Sequence, residues 1–323
     1  MAAKRPIALA ILEILKEYTD EDHLLYANDI ISLVKKKYDL DLERRTLYTN
    51  IETLKDFGYE ILSDPKSKKG YYLAEREFDK GEILLLCNAV HASHFISSKQ
   101  SDDMISKLLK TQSKHLSKEF SDKIYMPNQL KTSNKQLLYT IARVSEAIRD
   151  EKKLKFIYLK YNYNMKLVPR KEEPYIIEPR FIVYNDSRAY MIVTDGKHSG
   201  FGHYRLDRIQ NVEVIDEKTV PLKNKQDAYD YARNKLFMYA GEMIPVTFRC
   251  KESVLDQMID IFGTKIMIVP EDNDTFIFHV NTTDKGVIIL AQQFIDSITI
   301  LEPDDLKDRF KTIIDEARKR YGA

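Results

Sequence analysis

Residues 42–73 read LERRTLYTNIETLKDFGYEILSDPKSKKGYYL, and this stretch decides the fold of the N-terminal part of the chain. Leu47, Ile51 and Leu54 recur at helical spacing and predict an amphipathic helix that turns them inward. Arg44, Arg45, Tyr48, Thr49 and Glu52 fall on the other faces, several of them outward. Gly58 predicts the stop of that helix. Tyr59–Leu62 and Tyr71–Leu73 alternate apolar and polar residues as a hairpin does, and the turn-rich segment SDPKSKKG (63–70) joins them. Lys66, Lys68 and Lys69 at such a tip suit a phosphate backbone.

Upstream, Pro6 stands where a helix start tolerates it, and Ile7, Leu9, Ile11, Leu12, Ile14 and Leu15 form an apolar face running to Tyr18. A second helix fits Asn28–Lys37, with Ile30, Ile31 and Val34 inward and Asn28 as its cap. Helix, turn, recognition helix and wing is the winged helix-turn-helix order, which lays the third helix in a major groove and the wing against a neighbouring phosphate strand. On that reading the DNA-binding residues are Arg44, Arg45, Thr46, Tyr48, Thr49 and Asn50, with Lys66, Lys68 and Lys69. Whether Arg44 and Arg45 reach bases or phosphates stays open, and three helices with a hairpin also build protein-interaction domains. Residues 1–76 hold 13 Lys+Arg against 14 Asp+Glu, so the positive charge is local rather than global.

At 323 residues the chain has room for two or three domains, and 51 Lys+Arg against 50 Asp+Glu suggest neither a polyanion-coating protein nor an acidic tail. Cys87 and Cys250 alone make neither a disulfide scaffold nor a structural zinc site, which fits a reducing cytosol. No apolar run of signal-peptide or membrane-spanning type is present, so a soluble cytoplasmic protein is expected. Neither G-x-G-x-x-G nor G-x-x-x-x-G-K occurs, and no carboxylate cluster or nucleophile–base pair stands out. The expectation is therefore no catalytic residue, no metal and no cofactor. His91 and His94 lack an acidic third ligand, and Asp272–Asp274 resembles a hairpin turn more than a calcium loop.

The middle of the chain is helical. Asp79 and Glu82 form a capping box before Ile83–Leu86, and Ser101 is placed to cap a helix carrying Ile105, Leu108 and Leu109. Pro127 and the polar run Lys131–Asn134 look like a boundary, with another helix from Asn134 through Ile141, Val144 and Ile148 to Asp150. The period then changes to two: strands fit from Leu154, at Tyr175–Tyr184, Arg188–Thr194, Phe201–Arg205 and Ile209–Ile215, which suggests a small barrel. Residues 243–301 follow the order strand, helix, strand, strand, helix, strand, suiting a ferredoxin-like unit, and a last helix spans Pro303–Tyr321.

The opening helix, Phe156-Ile157-Tyr158, Glu178-Pro179-Arg180, the strand Arg188–Met191 and Tyr204-Arg205-Leu206-Asp207-Arg208-Ile209 resemble the WYL domain, an Sm-like barrel module of bacterial transcriptional regulators. The naming triplet Trp-Tyr-Leu stands here as Ala189-Tyr190-Met191, and Thr49-Asn50 replaces the Arg-Asp that many relatives carry in the recognition helix. The resemblance implies an α+β multidomain chain: a winged helix-turn-helix domain (1–76), a helical linker (77–133), an Sm/SH3-like WYL β-barrel (134–220) and a ferredoxin-like C-terminal extension (221–323). It also implies a homodimeric transcription factor that binds double-stranded DNA and senses a nucleotide-like or single-stranded nucleic-acid effector through Tyr158, Tyr190, His203, Arg205 and Arg208. Rings for stacking and cations for phosphate are the chemistry such a ligand requires. Three other expectations remain: tyrosines that fill a barrel core beside an Asp207 salt bridge instead of contacting a ligand, an adaptor whose barrel binds protein or RNA, and a nucleotide-processing enzyme.

Overall fold

The computed structural model describes residues 7–64, 69–123, 131–185, 187–194, 201–222 and 243–322. Helices α1 (Ile7–Tyr18), α2 (Ala27–Tyr38) and α3 (Arg44–Asp56) each carry one apolar stripe, and the stripes meet in a core of Ile11, Ile14, Leu15, Ile30, Val34, Leu47 and Ile51. Leu9, expected on this face, stands 56% exposed, because two residues from Ile11 is about 200° around a helix. Asn28 is not the cap of α2. The Tyr26 N–H at that position donates to the Asp29 carboxylate at 3.0 Å, leaving the Asn28 amide for another partner.

The stop of α3 follows the sequence expectation. Gly58, at φ 96°, donates to Lys55 O at 2.9 Å and Tyr59 donates to Leu54 O at 3.1 Å, the paired bonds of a Schellman motif that needs a left-handed residue. Strands β1 (Ile61–Ser63) and β2 (Tyr71–Leu73) then pair antiparallel, with buried Ile61 opposite buried Leu73. Leu25, between α1 and α2, exchanges two backbone bonds with Tyr71 at 3.0 and 2.8 Å and extends this small sheet. A Cβ at Gly70 (φ 82°) would lie 3.3 Å from Leu24 Cβ, so a side chain there would strain both backbone and packing.

Three further helices, α4 (Lys80–Ala92), α5 (Ser98–Leu109) and α6 (Lys114–Lys123), gather around Ile83, Cys87, Leu109, Leu116 and Phe120. The capping box of α4 is present, with Glu82 N–H on Asp79 at 2.8 Å and Asp79 N–H on Glu82 at 3.0 Å. The cap of α5 is Ser97, not Ser101. Ser101 is buried inside the helix, where its hydroxyl accepts the Lys131 ammonium at 2.8 Å.

The first three helices and the next three form one unit, Met1–Lys135. Its joint is polar: the Arg76 guanidinium donates to Lys16 O at 3.0 Å, Thr111 O at 3.3 Å and Thr19 O, while buried Asp20 accepts the Ser113 hydroxyl. The His23 ring, whose Nδ1 is 2.7 Å from Asp20, stacks on His115 at 3.8 Å.

The second unit, Gln136–Ala323, opens with α7 (Leu137–Arg149), which starts three residues later than the sequence suggested. Strands β3 (Lys152–Tyr161), β4 (Leu167–Pro169), β5 (Tyr175–Asn185), β6 (Arg188–Thr194), β7 (Gly202–Arg205) and β8 (Ile209–Lys218) follow, a 3₁₀ turn (Leu206–Arg208) linking the last two. All five expected strands are present, and β4 is an addition. The antiparallel order is β4-β3-β5-β6-β7, with β8 also on β3. Register shifts in the β3–β8 pair and at Pro179 in the β5–β6 pair curl this sheet, and Pro179 falls where a bulge excuses its missing donor. α7 covers the sheet with Leu137, Val144 and Ala147.

The chain ends in β9 (Met243–Lys251), α8 (Leu255–Phe262), β10 (Met267–Pro270), β11 (Thr275–Thr283), α9 (Asp284–Gln293), β12 (Ile298–Glu302) and α10 (Asp304–Arg320). The sheet order is β10-β11-β9-β12, every pair antiparallel, over a core centred on stacked Phe248 and Phe278 at 5.2 Å. Asp274 N–H donates to Asp272 Oδ1 at 2.8 Å in the β10–β11 turn. Among the described residues the chain is thus a mixed α+β protein with ten α-helices and antiparallel sheets.

Candidate functional site

Two clusters hold the residues the sequence singled out, one in each unit. In the first, burial of Leu47, Ile51 and Leu54 fixes the rotation of α3 and turns Arg44, Arg45, Tyr48 and Thr49 to solvent. Arg44 donates from Nε and Nη2 to Asn28 Oδ1 at 3.2 and 2.8 Å, which holds its guanidinium over the starts of α2 and α3. The Arg45 guanidinium makes no hydrogen bond or ion pair among the described residues. The Thr49 hydroxyl donates to Arg45 O at 3.0 Å, and the half-buried Asn50 donates to Thr46 O at 2.7 Å. Both thus spend donors on their own helix and keep acceptor oxygens, while Thr46 itself is half-buried. Tyr48 tilts against Tyr71 of β2 at 6.4 Å, where burial first and the Tyr48 side chain next raise the Tyr71 phenol above its usual pKa. Lys69 is exposed beside the strand, whereas Lys66 and Lys68 lie outside the described residues.

In the second unit, β3, β5, β6 and β7 bring Tyr158, Tyr190, His203 and Arg205 together. Tyr190 lies opposite Arg205 and Ile192 opposite His203 in the β6–β7 ladder, so these four side chains share one face. Tyr190 and His203 meet edge to face at 5.9 Å. Tyr158 belongs to an aromatic nest with Phe156, Tyr175 and Tyr204, whose centroids lie 4.9 to 6.4 Å apart. Its hydroxyl accepts the Arg205 N–H at 3.2 Å, and burial above all raises its pKa. Arg205 grips Asp207 through Nε at 2.9 Å and Nη2 at 2.6 Å. Burial disfavours that guanidinium, but the hydrogen bonds and charge of Asp207 outweigh it and raise its pKa.

Arg208 is placed differently. Its guanidinium lies 5.6 Å from the Tyr161 ring centroid, while its Nε is buried with no hydrogen-bond partner. An unpaired buried donor is costly, by about 1–3 kcal/mol, and an anion reaching it would recover that energy. The pairing of Tyr161 with Arg208 was not legible in the sequence, because that contact crosses from β3 to the 3₁₀ turn. Sequence reasoning also missed Glu178 and Arg180 as a buried brace: Arg180 bonds Glu178 at 2.6 Å, Thr194 at 2.6 Å and Val220 O at 2.7 Å. Burial lowers the Arg180 pKa, although the charge of Glu178 opposes that.

Among the described residues, no group of three or more His, Cys, Asp or Glu side chains is arranged to hold a metal ion. No helix there is long and apolar enough to cross a membrane.

Comparison with known proteins gives one family. Residues 139–214 match the WYL domain, the span from α7 through most of β8. No curated protein matches the sequence. Among solved structures, the chain is similar to proteasome accessory factor B/C (PafBC) of Arthrobacter aurescens, at 16% identity and a TM-score of 0.29 over 100% of this chain and 51% of that one. It is therefore about half as long as that protein. A CRISPR Cas-related protein gives 15% identity and a TM-score of 0.38, covering 99% of this chain and 88% of that chain.

Proposed function

We propose that this WYL-domain chain is a DNA-binding transcriptional regulator without catalytic activity. In this reading residues 1–76 are a winged helix-turn-helix domain, 77–133 a helical linker, 134–220 an Sm-like WYL barrel and 221–323 a ferredoxin-like extension. The observation that carries it is the outward face of α3, where Arg44, Arg45, Tyr48 and Thr49 stand exposed beside a two-stranded hairpin. Helices so presented fit a major groove, with the hairpin tip against phosphates. The barrel takes a nucleotide-like or single-stranded nucleic-acid effector: the orphan Arg208 Nε supplies a donor for an anion, and the exposed Tyr161 ring beside it supplies a face for stacking. Effector binding shifts operator affinity only as far as it favours one arrangement of a homodimer over another.

The test is fluorescence anisotropy on duplex fragments selected from genomic DNA by the purified chain. Affinity is expected to fall by on the order of a hundred-fold between roughly 50 and 200 mM salt if about four phosphates are neutralised. A flat salt response, or unchanged affinity after Arg44→Ala with Arg45→Ala, overturns the DNA-binding reading. Loss of effector response in Arg208→Ala with DNA affinity intact supports the sensing role, and a retained response removes it.

A further inference from the structure

In the first unit, residues of four helices, α1, α4, α5 and α6, line a common cavity of about 790 Å³. Cavities of roughly 300–1,000 Å³ are the size that small molecules occupy. Its apolar floor is Ile105 and Leu109 of α5, the former half-buried and the latter buried. Room is left above them because Ser106, Ser117 and Ser121 recur where larger residues would close the gap. The hydroxyl of Ser117 donates to Leu109 O at 2.7 Å and that of Ser121 to Ser117 O at 2.8 Å, so neither proton is available to a guest. Recognition of a charged group therefore falls to the charged rim.

That rim is cationic in balance. Lys16, Lys110, Lys114 and Lys118 face Glu13, Glu17 and Asp102. Glu17 is matched twice, by Lys114 and by Lys37 from outside the cavity. Lys16 stands 3.9 Å from Glu13, the outer limit of an ion pair. Lys110 and Lys118 have no ion-pair partner among the described residues. Cations left over an apolar floor complement a molecule that is hydrophobic at one end and negative at the other.

We propose that this cavity binds a small anionic amphiphile. Its apolar body, of fused-ring or short-acyl size, sits on Ile105 and Leu109, and its single carboxylate, sulfonate or phosphate group is held by Lys110 and Lys118. The cavity is lined from α1 on one side and from α4, α5 and α6 on the other, so the guest spans the joint that Arg76 and the Asp20–Ser113 bond hold together. It is a second ligand site, apart from the barrel arginines.

The probe is 8-anilinonaphthalene-1-sulfonate, titrated into the full chain without DNA, with uncharged N-phenyl-1-naphthylamine as the control. Saturable one-to-one binding of the sulfonate is expected, weakened about ten-fold or more by Lys110→Glu with Lys118→Glu, while the uncharged probe is unaffected by that pair. Ser106→Trp fills the cavity and removes the site for both probes; circular dichroism and the melting temperature verify that each variant folds. Absence of saturable binding, or sulfonate affinity unchanged in the double variant, overturns the proposal. So does a loss of sulfonate binding in Arg208→Ala, which would move the site to the barrel. Because no DNA is present, these results do not depend on the regulator reading.

Discussion

Asn28 Oδ1 accepts from both Nε and Nη2 of Arg44, at 3.2 and 2.8 Å, and so ties the first turn of α2 to the first turn of α3. An arginine held this way meets a phosphate or base edge with part of its side-chain entropy already lost, a term of about 0.5–1.5 kcal/mol. Asn28→Ala is therefore expected to weaken duplex binding about two- to ten-fold, with the melting temperature almost unchanged because the pair is exposed. Arg45→Ala, which removes a cation with no competing partner among the described residues, is expected to cost at least as much. Anisotropy titrations at one fixed salt concentration compare them, and wild-type affinity in Asn28→Ala would show that the pose of Arg44 is irrelevant to binding.

The Arg205–Asp207 pair sits almost out of water, with side-chain exposures of 17% and 5%. Removing one partner leaves a desolvated charge, so Asp207→Ala is expected to destabilise the second unit by about 3 kcal/mol. Arg205→Lys does not restore the fork geometry that two parallel bonds require and is expected to lose about 1–2 kcal/mol. Urea midpoints of the full chain read both. Equal stability of Asp207→Ala and wild type would mean that the pair is dispensable to the fold and leaves Arg205 available to a ligand.

These contacts also mark how far the sequence could be read. Period and punctuation were enough for α1 to α3, the Gly58 stop, the Asp79–Glu82 box and the five expected strands, because each depends on neighbours within one or two turns of chain. Ser101 misled because a serine ahead of apolar residues looks like a cap, and only tertiary structure brings the Lys131 ammonium to bury it. β4 was missed because three residues carry too little alternation to declare a strand. In the cluster of the second unit, Tyr158, Tyr190, His203 and Arg205 were legible as a set through their motif. Their partition was not: whether an arginine is tied to Asp207 or left with an orphan Nε depends on contacts between β3, β7 and the 3₁₀ turn.

Both cysteines are buried, and burial raises the Cys87 thiol and pushes the Cys250 thiol up to about 11. At pH 8 a thiol with that pKa is ionised to only about one part in a thousand, and the thiolate is the reactive form. The native chain is thus expected to show no fast reaction with 5,5′-dithiobis(2-nitrobenzoate), and two equivalents of thiol in guanidinium chloride. A rapid native burst would mean that one of the two sites opens readily.

Asp20 gives the pH dependence of the joint in the first unit. Burial works to raise its carboxyl pKa, but the Ser113 hydroxyl, His23 and the Asp22 N–H outweigh it and hold the group below its ordinary value of 3.8. A carboxyl whose folded pKa lies below its unfolded one stabilises the fold fully above the unfolded value and loses that contribution as pH falls through the folded value. The loss therefore belongs below about pH 4. Asp20→Asn keeps the shape but removes the charge that the three donors satisfy, and is expected to cost about 1–3 kcal/mol at pH 7. In urea titrations from pH 7 to pH 3, the gap between wild type and Asp20→Asn should stay level down to about pH 4 and then close. A gap that stays constant through pH 3 would show that ionised Asp20 is not what holds α6 to the α1–α2 connection.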